Sequence, residues 1–393
     1  MGDVVMLSVG HIRYGATLDA SAQDITTYRS LCRTLRRVYL IVASDGRQGF
    51  VRRFDRVVVV GVPQGFGWLG NKVAFVLGVA RVGLRLARRS GVDVVSASDP
   101  LFSGLASLAL ARCAGRPLLV HVQAQVLALP AGGIGILRRR AMESVSRFVC
   151  LRADRVRCVS RSILRCVERL GIPSERIRYL PPRVDTSIFS ARDKGARGRH
   201  VRDRLGVGSS RVVLFVGSFT SFKGVLNLVD AFAEVASRVQ DAVLVMVGSG
   251  PLEASLAHGV KMLGISESVM FAGRVSHHDV PDYLAAASVL VLPSENEGLP
   301  RVILEAIAME VPIVASAVGG VPELVVDGVS GRLVRPGRRA DLAEALCSAL
   351  EHLDRSSEMA RSAQKAITGG GYDSAENIKR YAEMVVELAR ADV

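Results

Sequence analysis

The residues best suited to chemistry lie in a loop between an apolar strand and a helix, Pro-Ser-Glu-Asn-Glu-Gly-Leu-Pro at positions 293–300. Pro300 suits the first position of that helix, because its φ is already helical. Amides at a helix start, with the helix dipole behind them, bind phosphate or diphosphate groups. The amides concerned belong to Arg301, Val302 and Ile303.

Two carboxylates flank this predicted phosphate site. Glu297 lies in the loop, and Glu305 lies about one turn inside the helix. Because they stand beside the phosphate site and not on it, they suit acceptors for sugar or ribose hydroxyl groups. The spacing also fits a plainer interpretation, in which acids favour a helix N-terminus and Glu305 is a surface residue.

A lysine follows another strand, in the segment Phe-Val-Gly-Ser-Phe-Thr-Ser-Phe-Lys-Gly at residues 215–224. Lysine is rare in this chain, which uses arginine at most basic positions. Lys223 is a candidate for holding a leaving phosphate as a compact charge, although a lone lysine is more often a surface residue. Glycine turns at Gly248, Gly250, Gly319 and Gly320 also follow strands, and would let backbone approach a ligand.

Short β-branched runs alternate with helix-length segments along the whole chain. The predicted strands cover residues 4–9, 38–44, 57–62, 92–98, 118–122, 156–160, 177–180, 212–217, 242–248, 269–273, 289–293, 313–316 and 331–334. Apolar strands between helices predict parallel sheets covered on both faces. We therefore expect an α/β fold with two doubly wound, Rossmann-like domains, and a ligand cleft at the carboxyl ends of the strands.

The 393 residues are too many for one core, so two domains are expected. The pattern breaks between residues 181 and 211, which predicts an N-terminal domain over 1–198 and a C-terminal domain over 199–393. The last helix, about residues 376–390, is a candidate to pack back on the N-terminal domain. Residues 1–198 carry 32 basic and 13 acidic side chains (+19), and residues 199–393 carry 19 and 24 (−5), which together give +14.

This charge asymmetry indicates different partners for the two domains. Residues 68–89 form an apolar stretch with arginines, typical of a helix on an anionic membrane surface, with Trp68 and Phe75 as expected anchors. An ordinary helix with solvated arginines is the alternative. No signal peptide or membrane-spanning stretch is apparent. Few aromatic residues and no recognition module argue against nucleic acid.

Two other groups of residues give no support for a metal site or a disulfide framework. His277, His278 and Asp279 lack a third ligand in sequence, so a turn at a helix start is favoured over a metal site. The six cysteines form no CxxC pair, which favours a reducing compartment.

Taken in order, these motifs resemble the retaining glycosyltransferases of family 4, which have the GT-B fold. The resemblance runs through Lys223-Gly224, Gly248-Ser-Gly-Pro, Phe271-Ala-Gly-Arg, the 293–305 segment and Gly319-Gly-Val-Pro-Glu. Glu297 and Glu305 match the family's glutamate pair with seven residues between them. The first half is looser and contributes residues 159–160, 170–177 and 184–185.

The resemblance implies roles for individual residues. Lys223 would hold the diphosphate of a UDP- or GDP-sugar, and Glu297 would accept hydrogen bonds from the donor sugar. Glu305 would bind the ribose hydroxyls. Donor contacts are also expected from Ser218, Gly248, Gly250, Phe271, Arg274, Gly298, Leu299, Pro300, Arg301 and Val302. No metal or other cofactor is expected.

The chain departs from the family at three places. Ser218 stands where the family often has arginine, and the glycine-rich turn after the first strand is absent. The family's His-Gly pair is replaced by His121-Val122-Gln123-Ala124, where Gln123 takes the place of the histidine and His121 lies two residues earlier on the same face. Both are candidates for the acceptor or donor-sugar side.

We therefore expect a retaining, metal-independent glycosyltransferase that moves a sugar to a hydroxyl acceptor. The basic first half indicates a lipid-linked or phosphate-bearing acceptor, in cell-envelope or polysaccharide synthesis, at the cytoplasmic face of the membrane. A nucleotide-sugar epimerase of the same fold and a non-catalytic relative that only binds ligand are the alternatives.

Overall fold

The computed structural model describes residues 3–14, 23–44, 48–63, 67–125, 135–367 and 371–391. The chain divides into two compact units. The first contains residues 1–181 and 375–393, and the second contains residues 182–374.

The first unit is built on an eight-stranded sheet with the strand order β3-β4-β2-β1-β5-β6-β7-β8. Its strands are β1 (Val5–Tyr14), β2 (Arg37–Ser44), β3 (Phe50–Phe54), β4 (Val57–Val62), β5 (Val94–Ala97), β6 (Leu118–Val122), β7 (Arg155–Cys158) and β8 (Ile177–Tyr179). Its first five helices are α1 (Gln23–Leu31), α2 (Gly67–Ser90), α3 (Phe102–Ala114), α4 (Ile136–Arg152) and α5 (Arg161–Glu168). All strand pairs are parallel except β3 with β4.

Strand β3 was not expected, and the prediction of purely parallel sheets is wrong at this edge. The segment Phe-Val-Arg-Arg-Phe has arginines where a buried strand would have apolar residues. Its three central side chains are exposed, because β3 is an edge strand joined to β4 by a short turn at Asp55. Charged residues on an edge strand also discourage pairing with other chains.

The second unit contains a six-stranded parallel sheet in the order β11-β10-β9-β12-β13-β14. The strands are β9 (Arg211–Val216), β10 (Ala242–Val247), β11 (Val269–Gly273), β12 (Val289–Leu292), β13 (Ile313–Ser316) and β14 (Arg332–Val334). The helices are α6 (Lys194–Leu205), α7 (Val225–Arg238), α8 (Glu253–Met262), α9 (Val280–Ala286), α10 (Arg301–Ala308), α11 (Val321–Leu324), α12 (Arg339–Glu351) and α13 (Leu353–Ile367).

The structure divides the chain at residue 181, not at 198. Helix α6 belongs to the second unit, because its Gly198 lies directly against the backbone of Ala285 in α9. A side chain at Gly198 would collide with that backbone, so the close approach of the two helices depends on glycine.

The last helix, α14 (Ser374–Arg390), packs on the first unit. Its apolar face joins the core formed by β1, β2 and β4, through Tyr381, Ala382, Met384, Val385 and Leu388. Asn377, which is buried, donates from Nδ2 to the carbonyl of Pro181 over 2.9 Å. The helix is therefore part of the first unit's core and not an appended tail.

Helix α2 occupies the stretch expected to lie on a membrane. Phe75 is fully buried, so its assignment as a membrane anchor is wrong. The side chain of Trp68 lies outside the described part of the chain. Among the described residues, no helix combines the length and the apolar character needed to cross a membrane.

Candidate functional site

Loops from four neighbouring strands meet at the carboxyl edge of the second sheet. The Glu295 amide donates to the Phe222 carbonyl over 2.8 Å, which joins the loop after β12 to the loop after β9. The Phe219 amide donates to Ser249 after β10, and the Gly320 amide donates to Gly298 over 2.7 Å. This edge is where parallel α/β sheets bind ligands.

Glycines make this loop packing possible. Gly248 has φ +140° and Gly319 has φ +56°, conformations that other residues rarely adopt. A Cβ at Gly248 would collide with the Gly217 carbonyl oxygen, and one at Gly319 would collide with the Glu297 carbonyl oxygen. Gly250 likewise lies against the backbone of Phe219. The glycine turns thus hold the loops together, a role distinct from the expected approach of backbone to ligand.

Lys223 and Glu297 form an ion pair in this cluster of loops. The Lys223 Nζ lies 2.6 Å from Glu297 Oε1. The buried Ser294 hydroxyl donates to the same oxygen over 2.7 Å. Because Oε1 receives two donors, Oε2 is the oxygen that remains for a hydroxyl group of a ligand.

Glu305 is held by a residue that the sequence assigned to a turn. Its carboxylate is buried, and His277 Nε2 donates to its Oε1 over 2.9 Å. The imidazole ring in turn packs on Phe189, with 5.1 Å between the ring centroids. Glu305 is therefore not the surface residue of the plainer interpretation, and one of its oxygens is oriented by His277.

The helix start differs in detail from the expectation. Helix α10 begins at Arg301, so Pro300 precedes the first helical residue. The Ile303 amide donates to the Pro300 carbonyl over 3.2 Å, which removes it from the expected phosphate site. The amides of Arg301 and Val302 are the ones left for an anion. Gly298 and Leu299 are buried in the same loop, and the Arg301 side chain is exposed.

The other predicted donor contacts lie at the rim. Ser218 and Arg274 are exposed, at the ends of β9 and β11. Phe271 is also exposed, and its ring contacts that of Phe219 edge to face, with 6.3 Å between centroids. An exposed aromatic ring beside a glycine turn is suited to a planar nucleobase.

The two candidates from the first unit have different surroundings. His121 is a buried residue of β6 that contacts α14, with Nε2 3.0 Å from Ser96 Oγ and 3.1 Å from Tyr381 Oη. Arg157 donates to its Nδ1 over 3.3 Å. Burial is the main cause that holds the pKa of His121 well below its ordinary value, and the positive charge of Arg157 lowers this pKa further. The neutral imidazole of His121 thus helps to hold α14 in place. Gln123, in contrast, is exposed and donates to the Ser98 carbonyl.

Sequence reasoning missed two residues of the site, Ser294 and His277. Ser294 directly precedes the acidic loop and is fully buried, so a serine at the end of an apolar strand was the available signal. The contact of His277 with Glu305 joins positions 28 residues apart, and no local pattern encodes it. Across the described ranges, no three His, Cys, Asp or Glu side chains cluster as metal ligands would.

Comparison with known proteins assigns both halves of the chain. Residues 200–366 match the family described as glycosyl transferases group 1. Residues 26–188 match glycosyltransferase family 4. The matched ranges include the four loops of the second unit and most of the first sheet.

Individual proteins agree with this assignment. The chain is 30% identical to the 2-deoxystreptamine N-acetyl-D-glucosaminyltransferase of Streptomyces fradiae, over 78% of this chain and 74% of that protein. It is 38% identical to a GDP-mannose-dependent phosphatidylinositol monomannoside mannosyltransferase of Mycolicibacterium smegmatis, over 41% of this chain and 44% of the relative. The chain spans about half the length of the first relatives it matches.

A solved structure extends the likeness to the whole chain. HepE of Anabaena, determined in complex with UDP-glucose, superposes with a TM-score of 0.77 over 98% of this chain and 99% of its own. At 22% identity this likeness shows the shared GT-B fold alone. The family matches and the Streptomyces fradiae relative show more, and on their strength the chain belongs to the family 4 glycosyltransferases.

Proposed function

We propose that this protein is a retaining, metal-independent glycosyltransferase that moves a sugar from a UDP- or GDP-sugar to a hydroxyl acceptor. The observation that carries the proposal is the Lys223–Glu297 ion pair of 2.6 Å among the loops at the carboxyl edge of the second sheet. A cation for a diphosphate and a carboxylate for sugar hydroxyls are adjacent there, as sugar transfer requires.

The chemical step follows from these positions. Lys223 and the amides of Arg301 and Val302 hold the diphosphate. The bond between the anomeric carbon and the diphosphate oxygen breaks, and the acceptor oxygen forms a bond to the same face of that carbon. The acceptor's proton passes to the departing phosphate oxygen. Stabilising the developing negative charge on the diphosphate is then the main contribution of the protein.

Glu297 and Glu305 orient the two ends of the donor. Glu297 Oε2 accepts from a sugar hydroxyl, while Lys223 and Ser294 fix Oε1. Glu305 accepts from the ribose hydroxyls, with His277 holding its other oxygen. Lys223 and the helix start supply the positive charge that a metal ion supplies in other transferases, so no metal is needed. Because Ser218 is uncharged, Lys223 supplies a larger share of the positive charge that stabilises the diphosphate.

The names of the relatives support the class of donor. The Mycolicibacterium smegmatis relative is named for its use of GDP-mannose, and the Anabaena neighbour was determined with UDP-glucose. We therefore place UDP- and GDP-sugars first among the donors to be tested.

The first test is a thermal-shift screen of nucleotide sugars, followed by product analysis. A donor that binds the native state raises the midpoint temperature of thermal unfolding by mass action. Incubation of that donor with a hydroxyl acceptor should release the nucleoside diphosphate and give a glycoside of unchanged anomeric configuration. An epimerised nucleotide sugar without acceptor would replace the proposal with the epimerase, and binding without any product would replace it with a ligand-binding relative.

A matched pair of variants tests the role of Glu297. Glu297→Gln should lower sugar transfer at least a hundredfold, because the amide weakens the bond to the sugar hydroxyl in the transition state. Glu295 lies in the same loop and forms no ion pair with Lys223. Glu295→Gln should therefore keep the rate of sugar transfer within twofold of the wild type. Equal activity of the two variants would contradict the assignment.

The acceptor is proposed to be lipid-linked or phosphate-bearing, with the enzyme bound to the inner face of the membrane. Support comes from the start of α4, where Ile136 and Leu137 are 65% and 86% exposed. Arg138, Arg139 and Arg140 follow directly. Exposed apolar residues beside arginines are typical of a helix that enters an anionic lipid interface.

Flotation with anionic liposomes tests this attachment. Wild-type protein should float at low salt, and Leu137→Asp should reduce flotation severalfold. The control is Met262→Asp, which replaces an apolar residue of the second unit that is 72% exposed and should float as the wild type does. Identical flotation of both variants, or none of the wild type, would refute the membrane proposal and leave the transferase proposal intact.

A further inference from the structure

The two faces of strand β4 are covered to different extents. On one face Val57 and Val59 are fully buried against the core that includes α14. On the other face Val58 and Val60 are only half-buried, although α2 passes over this side of the sheet. A groove of about 710 Å³ lies between β3, β4 and the second half of α2. Its volume falls within the range of small-molecule sites.

Charge is confined to one end of this groove. Arg37, Arg53 and Arg85 line the end near the start of β4, together with a single carboxylate, Asp55. Arg37 Nη1 also donates to the Tyr39 hydroxyl in the groove floor, over 3.3 Å. The local charge is therefore positive, with a buried hydroxyl beside it.

The other end of the groove is apolar. It is lined by Gly49, Phe50, Gly61 and Pro63, none of which carries a charge. From Val58 to Pro63 the strand advances five residues, about 17 Å at 3.3–3.4 Å per residue. Val82 and Leu86 of α2 form the opposite wall. A cationic end and a long apolar remainder match a ligand with an anionic head and a hydrocarbon tail.

The cationic end of this groove lies away from the edge of the sheet where substrates bind. Arg37 is the first residue of β2, so the cationic end lies at the amino end of the parallel strands. Ligands of doubly wound sheets bind at the opposite, carboxyl end. The cationic end is therefore not explained by the transfer reaction, which is expected at the opposite edge.

We propose that the groove binds one acidic phospholipid, with its phosphate against Arg37, Arg53 and Arg85 and one acyl chain along Val58 and Val60. Three arginines against one carboxylate supply the charge complementarity, since guanidinium groups bind phosphate bidentately. The apolar end supplies the burial for the chain. The site is independent of the donor site and of the exposed start of α4.

Dodecyl phosphate below its micelle concentration is a suitable probe, titrated calorimetrically into the full-length protein. Dodecyl maltoside and inorganic phosphate each present one half of the ligand and serve as comparisons. The variant is Arg53→Glu/Arg85→Glu. The matched control is Arg81→Glu/Arg88→Glu, which makes the same charge change at exposed positions of α2 outside the groove.

Dodecyl phosphate should bind one to one, with a Kd at least tenfold lower than that of dodecyl maltoside. The groove variant should lose at least tenfold in affinity, and the control should stay within twofold. Equal losses of affinity in both double variants would mean that the probe is attracted by the general positive charge and has no specific site. Inorganic phosphate that binds as tightly as dodecyl phosphate would mean that the site binds the anion alone and not the hydrocarbon tail. Either result overturns the proposal. If Arg53→Glu/Arg85→Glu lowers the thermal midpoint, Arg53→Gln/Arg85→Gln replaces it.

Discussion

Replacement of Lys223 by methionine tests whether the ion pair in the loops is a coupled unit. Methionine keeps most of the apolar stem and removes the ammonium group that lies 2.6 Å from Glu297. The carboxylate is then buried with only the Ser294 hydroxyl as a partner. The expected result is a less stable second unit and loss of the proposed diphosphate site.

The size of the effect follows from burial. Removing one partner of a buried ion pair costs about 3–5 kcal/mol. The Lys223 side chain is 26% exposed and Ser294 still donates, so we expect the opening free energy of the second unit to fall by about 1–3 kcal/mol. Glu297→Gln should cost about 1 kcal/mol, since its amide oxygen still accepts hydrogen bonds.

A double-mutant cycle separates the pair from its surroundings. Unfolding of a chain with two units need not be two-state, so the free energy is read from hydrogen exchange of amides in β9 and β12. The Lys223→Met/Glu297→Gln variant should be about 1–2 kcal/mol more stable than the sum of the single effects predicts. Lys261→Met, on the exposed face of α8, is the control and should change nothing beyond about 0.5 kcal/mol. Strictly additive effects would refute the coupling.

Three further results are expected. His277→Ala should lose preference for a ribose over a 2′-deoxyribose nucleotide, because Glu305 is no longer oriented; a preference equal to that of the wild type would argue against this role. Gly319→Ala should abolish nucleotide binding and destabilise the second unit by about 2–4 kcal/mol, through collision with the loop carbonyl; hydrogen exchange and titration measure both. Burial raises the pKa of Cys158 to about 12, so at pH 8 iodoacetamide should modify exposed Cys113 long before Cys158, as mass spectrometry of the native protein would show.

Much of the fold was predictable because apolar runs and turn residues repeat locally. Strands such as Val57–Val62 and Ile313–Ser316 match the prediction residue for residue. Lys223 and Glu297 were found because each lies in a loop after a strand, and Glu305 because it lies in the helix after that loop; strands of a parallel sheet end at one edge. The sequence therefore placed these residues near one another before any contact was known.

What could not be predicted depends on contacts between distant segments. His121 was expected near a sugar, but Tyr381 lies 260 positions later and encloses it. Helix α6 falls across the predicted domain boundary at residue 198, since its close contact with Ala285 leaves no local pattern. Strand β3 was missed because edge strands tolerate charges that a periodicity analysis counts as loop.

The most direct test of the donor site is a calorimetric titration of the nucleoside diphosphate identified by the donor screen. Wild-type protein and Lys261→Met should bind it one to one with the same affinity. Lys223→Met should bind it at least tenfold more weakly, because the ammonium group proposed to hold the diphosphate is gone. Equal affinity of all three proteins would contradict the placement of the diphosphate at Lys223, and with it the proposed transfer chemistry.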